Sequence, residues 1–247
     1  MWVNNIAPDL PEATSAFSSL ESVFSLQGES ITSSSLCAVD KVILDGIGYY
    51  IKRYRRAGEG WAEFVGISKA KREWQNLMRF SQWQLPAAKV VAYGEGRFFS
   101  LPRRGVVITQ EIIDSTDLAE LAENNSPLLK NNRWLSSVLK QVAHSTRVMH
   151  QNGFAHNDWK WRNILVVGES NNPEVHLIDC PSGMFWWGRF FEYRRIKDLA
   201  CLDKVGLSVL SSAQRLKFYF YYAKINKLTP EHKKNIRKVL AFFEGRD

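Results

Sequence analysis

The chain has 247 residues, of which 45% are hydrophobic and 23% charged, and its formal net charge is +8. This length allows one large domain or two small ones with a substantial core, and the balance of residue types excludes an intrinsically disordered chain. The positive charge indicates an anionic partner, which can be nucleic acid, acidic lipid head groups or a phosphorylated small molecule.

The cysteines and the N-terminus indicate a cytoplasmic protein. Cys37, Cys180 and Cys201 are odd in number and lack metal-ligand spacing, which argues against a disulfide framework. No apolar run approaches the roughly 20 residues that a membrane span needs, and residues 1–15 lack the pattern of a signal peptide. We therefore expect a soluble cytoplasmic protein, with a position at the membrane surface left open.

The front half of the chain is predicted to be rich in β-strands. Residues 1–30 contain no pattern that places an element there. Further along, two β-rich runs flank Asp45 and Gly46, and an Asp-Gly pair between such runs is typical of a hairpin turn. Two more β regions follow, over 88–102 and 106–113, and the second has the β-branched composition of a buried strand.

Helical patterns occur mainly in the rear half. In the front half, residues 68–82 consist of strong helix formers. The predicted apolar side of that helix is Trp74, Leu77, Met78 and Phe80. Residues 134–149 carry apolar side chains at a helical period, and helices resume from about Arg195. Between these helices, residues 163–167 and 174–179 predict a small β-hairpin.

The order of these elements predicts two parts. A β-rich part with one helix precedes a helical part with one small hairpin, and the boundary falls near Asp114. Just beyond it, Ser115 or Thr116 is predicted to cap the short helix at 117–123.

Residues 156–163, with the sequence HNDWKWRN, bring several chemically active side chains together. The Asp158 carboxylate can accept a proton from a hydroxyl, and Lys160 can neutralise charge on a phosphoryl group. Asn163 offers an amide oxygen to a hard cation such as Mg²⁺. A second carboxylate, Asp179, ends the apolar run after the hairpin. Carboxylate and amide oxygens at two strand ends are what a magnesium–nucleotide site requires.

The spacing H-x-D-x-K-x-x-N, followed by an apolar strand that ends in Asp, resembles the catalytic and metal-binding loops of the protein-kinase-like superfamily. The resemblance covers about residues 33 to 205. It implies a bilobal α+β fold, with a β-rich N-lobe over residues 1–113 and a mainly helical C-lobe over residues 114–247. It also implies ATP as the phosphoryl donor and Mg²⁺ as the cofactor.

The resemblance implies nucleotide-binding roles for residues of the N-lobe. Lys52 matches the strand lysine that grips the nucleotide phosphates, and Glu73 matches its ion-pair partner. Glu63 competes for that role, but Glu73 is preferred because it lies within the predicted helix. Residues 106–113 resemble the strand and hinge that contact adenine through backbone groups. The implied hinge residues are Gln110, Glu111, Ile112 and Ile113. The implied phosphate-covering turn is Ser33, Ser34 and Ser35, which lacks the glycine triad of the superfamily.

The resemblance also implies the roles of the residues around the HNDWKWRN motif. Asn163 and Asp179 would hold Mg²⁺, while Lys160 would offset charge on the γ-phosphoryl group. Asp158 would orient the acceptor hydroxyl and take its proton. Outside the chemistry, His156 is expected to brace the loop by hydrogen bonds. Asp198 is expected either to cap a helix or to brace the catalytic loop from below.

Within the superfamily, the small size, basic balance and aromatic-rich rear half resemble the bacterial lipopolysaccharide-core kinases, which phosphorylate Kdo or heptose sugars. Asn157 stands where many protein kinases have an arginine, and Cys180-Pro181 stands where they have Phe-Gly. No APE-like peptide anchor follows. The resemblance therefore implies an ATP-dependent kinase that phosphorylates a heptose or Kdo hydroxyl of the lipopolysaccharide inner core. Its partner would be an anionic glycolipid, met at the cytoplasmic face of the inner membrane.

Residues 184–195 combine six aromatic side chains, among them Phe185, Trp186, Trp187, Phe190 and Phe191, with three arginines. Core packing accounts for about half of such aromatics, and the rest suit a surface that touches lipid head groups or an anionic glycolipid. Stacking on the bases of single-stranded nucleic acid is a competing use of the same side chains. The family resemblance favours the glycolipid, so we do not expect nucleic acid to be the partner.

Two other functions are compatible with the sequence. One is a kinase of the same fold that phosphorylates protein or a small molecule, although the absence of a recognisable activation segment argues against regulated protein phosphorylation. The other is a non-catalytic module, either a pseudokinase or a basic RNA-binding protein. Retention of Lys52, Asp158, Asn163 and Asp179 together disfavours the non-catalytic alternative.

Overall fold

The computed structural model describes residues 1–55, 67–98, 101–169 and 172–245, without the side chains of 97–98 and 101–103. The chain divides into two compact units. Unit 1 consists of Met1–Ile112 and Asp179–Pro181, and unit 2 consists of Ile113–Ile178 and Ser182–Asp247. The functional division into lobes over 1–113 and 114–247 stays a prediction.

Unit 1 is built on a six-stranded antiparallel sheet, and three helices of its described residues accompany the sheet. The elements of unit 1 are β1 (Trp2–Asn4), α1 (Pro11–Ala16), α2 (Leu20–Ser25), β2 (Glu29–Ser33), β3 (Cys37–Leu44), β4 (Ile47–Tyr54), α3 (Lys69–Gln82), β5 (Val90–Phe98) and β6 (Leu101–Gln110). The strand order in the sheet is β1-β5-β6-β4-β3-β2.

The predicted Asp-Gly hairpin is confirmed, and it also organises the N-terminus. Asp45 and Gly46 connect β3 to β4 with positive φ angles of 51° and 72°. The Asp45 carboxylate accepts the backbone N–H groups of Glu12 and Ala13 at 3.2 and 2.9 Å, at the start of α1. Residues 1–30 therefore form ordered elements whose apolar side chains, such as Phe17, pack into the core of unit 1.

Helix α3 confirms the predicted helix, and Leu77 and Phe80 of its predicted apolar side are buried. Its cap is Ser68, whose side chain accepts the N–H of Lys71 at 3.1 Å. Met78 was expected on the apolar side but is 38% exposed. The buried residues are Ala70, Glu73, Asn76, Leu77 and Phe80. Two polar side chains of α3 are thus buried within unit 1, and both reappear in the candidate site.

Unit 2 is mainly helical, and α5 supplies much of its core. Its elements are β7 (Ser115–Asp117), α4 (Leu118–Glu123), α5 (Asn132–Gln151), β8 (Phe154–Ala155), β9 (Ile164–Val167), β10 (Glu174–Leu177), β11 (Met184–Phe185), α6 (Gly188–Val209), α7 (Ser212–Ala223) and α8 (Pro230–Leu240). The predicted hairpin is confirmed as the antiparallel pair of β9 and β10. Within the described ranges, no helix is long and apolar enough to cross a bilayer.

Two predicted boundaries in unit 2 are wrong. Ser115 and Thr116 lie in β7, and α4 is capped by Asp117, whose carboxylate accepts the N–H of Glu120 at 2.9 Å. Helix α6 begins at Gly188, well before the predicted Arg195. The first two turns of α6 therefore carry Phe190, Phe191 and Tyr193, three of the aromatic side chains for which the sequence left several uses open.

Candidate active site

Lys52 joins two carboxylates within unit 1. It lies on β4 between Val39 of β3 and Val107 of β6, in the middle of the sheet. Its Nζ is 3.2 Å from Oε1 of Glu73 on α3, and it also donates to Oδ1 of Asp179. The structure thus brings together three residues that the sequence had selected. The competing residue Glu63 lies outside the described residues.

Glu73 is buried, and two donors satisfy its carboxylate. Lys52 donates to Oε1, and the Tyr54 hydroxyl donates to Oε2. Burial raises the pKa of Glu73 to about 7 against the attraction of Lys52, and the Asp179 charge acts in the same direction as burial. Burial opposes the charged form of Lys52, yet the charges of Glu73 and Asp179 outweigh it and raise its pKa. The cluster therefore holds an ammonium group between two acids.

A second polar side chain of α3 holds the chain next to Asp179. Asn76 donates from Nδ2 to the carbonyl of Cys180 at 2.8 Å, and its Oδ1 accepts from Arg79 at 2.6 Å. Asp179 itself has a φ of 58°, in the left-handed region that a non-glycine residue seldom adopts. Sequence reasoning missed Asn76 and Tyr54. Each shares a face with a predicted residue, at i+3 from Glu73 on the helix and i+2 from Lys52 on the strand.

The serine turn and the hinge residues are at element ends of unit 1. Ser33 ends β2, and the Ser34 hydroxyl accepts the Cys37 N–H at 3.1 Å and donates to the Cys37 carbonyl at 3.0 Å. The Ser34 hydroxyl therefore closes the turn before β3. Ser35 is exposed within this turn.

The predicted hinge begins where β6 ends. Gln110 is the last residue of β6, and the Glu111 N–H donates to the Gly48 carbonyl at 2.8 Å. The Glu111 carboxylate also pairs with Lys41 at 2.6 Å. Ile112 is the last residue of the first segment of unit 1. The strand that precedes these residues begins at Leu101, earlier than the predicted residue 106.

The HNDWKWRN motif forms a compact loop in unit 2. One Asp158 oxygen lies 2.5 Å from Lys160 Nζ, and the other lies 3.4 Å from Arg162 Nη2. Burial opposes ionisation of Asp158, but the hydrogen bond and charge of Lys160 and the charge of Arg162 lower its pKa. The buried Asn163 donates from Nδ2 to the Asp158 carbonyl at 2.7 Å. That hydrogen bond fixes the orientation of the Asn163 side chain, whose amide oxygen is a hydrogen-bond and metal-ligand acceptor.

Asp198 holds the same loop from inside unit 2. It is fully buried on α6, and its carboxylate accepts the backbone N–H groups of His156 at 2.7 Å and Asn157 at 2.8 Å. Asn157 has a φ of 65°. Of the two roles expected for Asp198, the structure shows the loop brace. His156 is fully buried, with its ring 4.9 Å from that of Trp159.

Comparisons with known proteins find a kinase family and one of its characterised members similar to this chain. A family model described as the lipopolysaccharide kinase (Kdo/WaaP) family matches residues 38–222, most of the chain. The lipopolysaccharide core heptose(I) kinase WaaP of Pseudomonas aeruginosa is 25% identical over 146 residues, covering 56% of this chain and 54% of that relative. The match therefore spans about half the length of the relative.

A solved structure, WaaP in complex with acyl carrier protein, is similar with a TM-score of 0.71 and 23% identity. The similarity covers 92% of this chain and 90% of that one. It confirms the predicted mixed, protein-kinase-like fold. Because the family model matches residues 38–222, more than half of its length, this chain belongs to the lipopolysaccharide kinase (Kdo/WaaP) family.

Proposed function

We propose that this chain is an ATP-dependent kinase that transfers the γ-phosphoryl group to a heptose or Kdo hydroxyl of the lipopolysaccharide inner core. The observation that carries the proposal is the Lys52–Glu73–Asp179 cluster in a member of this kinase family. An ammonium group between two acids is the arrangement with which kinases orient a triphosphate.

Unit 1 supplies the nucleotide contacts in this proposal. Lys52, oriented by Glu73, binds the α and β phosphates, and the turn at Ser33–Ser35 covers them. Adenine is bound by backbone groups of Gln110, Glu111 and Ile112. The Glu111 N–H donates to the Gly48 carbonyl, so it is not among the groups proposed to contact adenine.

The metal in this proposal is Mg²⁺, for which Asn163 and Asp179 supply the ligands. Mg²⁺ keeps several water and phosphate ligands, so one carboxylate and one amide oxygen suit it better than a cage of acids. When bound, Mg²⁺ neutralises charge on the β and γ phosphates.

Asp158 is the base that orients the acceptor hydroxyl and takes its proton. Its lowered pKa keeps the carboxylate ionised at neutral pH, so it can accept a hydrogen bond from the sugar. Lys160, now 2.5 Å from Asp158, is the cation that offsets charge on the transferred γ-phosphoryl group. The acceptor is an anionic glycolipid at the cytoplasmic face of the inner membrane, which agrees with the net charge of +8.

The direct test offers the purified protein radiolabelled Mg-ATP with defined acceptors. These are core oligosaccharide that ends in heptose, oligosaccharide that contains only Kdo, and a generic protein substrate. We expect label on one of the two oligosaccharides, and incorporation at least about 100-fold slower after the substitution Asp158→Asn. Label on protein with none on either sugar would instead support a protein kinase.

Binding of Mg-ATP separates an enzyme from a pseudokinase or RNA-binding module. A ligand at 100 times its Kd stabilises the folded state by about 2.7 kcal/mol. We therefore expect a clear rise in Tm with Mg-ATP and a smaller one in Asp179→Asn. No rise, together with salt-sensitive RNA binding, would contradict the kinase.

A second ligand is proposed for a cavity in unit 2. The cavity has a volume of about 220 Å³ and lies among α5, α6, α7 and α8. Its walls are mostly apolar, and the polar residues that line it include Asp203, Ser212 and Arg215. A similar structure contains WaaP in complex with acyl carrier protein, and we propose that a fatty acyl chain occupies this cavity. Mostly apolar walls suit such a chain better than they suit water.

Gly206 offers a way to fill this cavity. It lines the cavity on α6, and a Cβ there would meet no atom nearer than 3.7 Å. Gly206→Leu should therefore weaken binding of a fluorescent fatty acid without loss of Tm. Failure of the wild-type protein to bind the probe would contradict an acyl ligand.

A further inference from the structure

An exposed aromatic surface at the start of α6 has no role in the proposed chemistry. Trp187 is 79% exposed and Phe190 is 72% exposed. The same surface, which we call the aromatic segment, consists of Met184, Phe185, Trp187, Phe190 and Tyr193, all at least 40% exposed. Large apolar side chains gathered in this way on a soluble surface mark an interaction site.

The most exposed of these side chains lie at the start of α6. Trp187 is the extended N-cap residue of the helix, and Phe190 and Arg194, four residues apart, share one of its faces. A different face of α6, which includes Ile196 and Leu199, packs into the core of unit 2. Trp187 and Phe190 are therefore left largely exposed, whereas Phe185 and Tyr193 also contact the buried rings of Phe154 and Phe242.

The aromatic segment is fixed to the strand that leads into the catalytic loop. Met184 and Phe185 pair with Ala155 and Phe154 in an antiparallel ladder. The Trp186 N–H donates to the Gly153 carbonyl at 2.9 Å. Just before the segment, the Ser182 carbonyl accepts from Asn157 Nδ2 at 2.7 Å. Hydrogen bonds therefore tie the aromatic surface to residues 156–163 within one unit.

The charge of this surface is positive. Arg189 is exposed, and Arg194 lies over the Trp186 ring at 4.7 Å. The sequence has no acid between Asp179 and Glu192, and Glu192 is neutralised by Arg195 at 2.6 Å. Trp and Tyr side chains with neighbouring arginines are the composition found at the boundary between lipid head groups and acyl chains.

We propose that the aromatic segment docks on a bilayer that contains anionic lipid, with Trp187 and Phe190 inserted at the head-group boundary. The inference rests on the proposed function, because a glycolipid acceptor is presented at such a surface. Docking would hold the loop of Asp158 beside the membrane, since the two are joined by the ladder and by the Asn157 bond. The segment acts as a membrane anchor and not as a binding site for the acceptor sugars.

The first experiment measures binding to vesicles. Phosphatidylcholine vesicles with and without phosphatidylglycerol are sedimented with the wild-type protein and with the double variant Trp187→Ser/Phe190→Ser. Each substitution should lower the partition coefficient about tenfold, because each removes a large apolar side chain from the boundary. Arg189→Glu should weaken binding only where phosphatidylglycerol is present.

Leu207→Ser is the matched control. Leu207 is an exposed apolar residue on the last turns of the same helix, outside the aromatic segment. Its substitution should leave vesicle binding and Tm unchanged. Equal binding by the wild type and the double variant would overturn the proposal. Loss of self-association in the double variant, with no vesicle binding by the wild type, would assign the surface to a second copy of the chain.

The second experiment separates this inference from the proposed function. The double variant should lose phosphorylation of vesicle-embedded glycolipid but keep that of soluble, deacylated core oligosaccharide. Loss with both acceptors would overturn the proposal, since the segment would then bind the sugars themselves. If the wild type phosphorylates neither acceptor but binds vesicles through this segment, the proposed function fails and the anchor stands.

Discussion

The Lys52 cluster and the HNDWKWRN loop illustrate two ways to hold charged side chains. The Lys52 cluster joins residues up to 127 positions apart and places Lys52 and Glu73 largely out of water, with Asp179 more exposed. The loop gathers its side chains within eight consecutive residues, and Asp158 and Lys160 remain partly exposed. The cluster is therefore a product of the tertiary fold, whereas the loop is a product of local sequence held by one buried brace.

This contrast predicts which substitutions change catalysis without changing the free energy of unfolding. Charges that are buried together change each other's pKa and contribute to folding. Partly exposed pairs such as Asp158–Lys160 are screened by water and contribute little to folding. Substitutions of Asp158 and Lys160 should therefore affect catalysis alone, and substitutions in the cluster or the brace should affect both catalysis and stability.

The largest effect is expected for Asp158→Asn. The amide cannot accept the proton of the sugar hydroxyl, so kcat should fall by about 10² to 10⁴-fold. Its exposed pairs with Lys160 and Arg162 are worth no more than about 1 kcal/mol, so Tm should change little. Single-turnover kinetics and calorimetry check the two parts. Near-wild-type turnover would exclude Asp158 as the base.

The next largest effect on activity is expected for substitution of Asp198, whose carboxylate holds the loop. In Asp198→Ala, the backbone N–H groups of His156 and Asn157 lose their buried acceptor, at about 1–3 kcal/mol for each group. Both stability and kcat should fall, whereas Asp198→Asn keeps one acceptor oxygen and should recover part of both. Equal stability of the two variants in urea would contradict the brace.

Glu73→Gln tests the electrostatics of the cluster. The folded protein holds a proton on Glu73 up to about pH 7, while the unfolded chain releases it near its ordinary value of 4.5. In the wild type, this group therefore lowers the free energy of unfolding as pH rises between those values. The stability advantage of the wild type over Glu73→Gln should shrink by about 1–3 kcal/mol from pH 5 to pH 8.

The measurement for Glu73→Gln is urea unfolding at several pH values. The titration of Lys52 does not overlap the range from pH 5 to pH 8, because its raised pKa lies far above pH 8. A difference in stability that stays constant from pH 5 to pH 8 would contradict the raised pKa of Glu73.

The sequence predicted the local features of this protein better than its non-local ones. The Asp45-Gly46 turn follows from two residues, and the pattern of α3 follows from fifteen, so both were accessible without coordinates. The elements of residues 1–30 were not, because their helices are short and depend on contacts such as Asp45 with Glu12. Short helices are stabilised by tertiary packing more than by their own propensities.

The same reasoning explains which site residues were missed. Lys52, Glu73 and Asp179 were found because a family resemblance supplies their pairing, which no local pattern contains. Tyr54 and Asn76 were missed because the resemblance assigns them no role. A polar residue that shares a face with Glu73, as Asn76 does, is the kind of signal that could have identified them.

Tyr54→Phe is the mildest substitution in the Lys52 cluster. It tests whether Glu73 needs the Tyr54 hydroxyl as a second hydrogen-bond donor. The variant removes the hydroxyl that donates to Glu73 Oε2 and keeps the ring beside Lys52. A hydrogen bond to a charged group is worth about 1.5–3 kcal/mol, and here it favours the ionised carboxylate. The loss of stability should therefore be greater at pH 8, where Glu73 is ionised, than at pH 5, where it is protonated.

Tyr93→Phe is the matched control, because the Tyr93 hydroxyl donates to the buried Glu95 at 3.0 Å, outside the Lys52 cluster. Both variants should lose stability, but only Tyr54→Phe should raise KM for ATP, since only Tyr54 orients the partner of Lys52. The rise should be a few-fold, because the Lys52–Glu73 contact of 3.2 Å remains. Equal KM values in the two variants would show that Glu73 needs no second donor, and that burial and Lys52 alone fix its position.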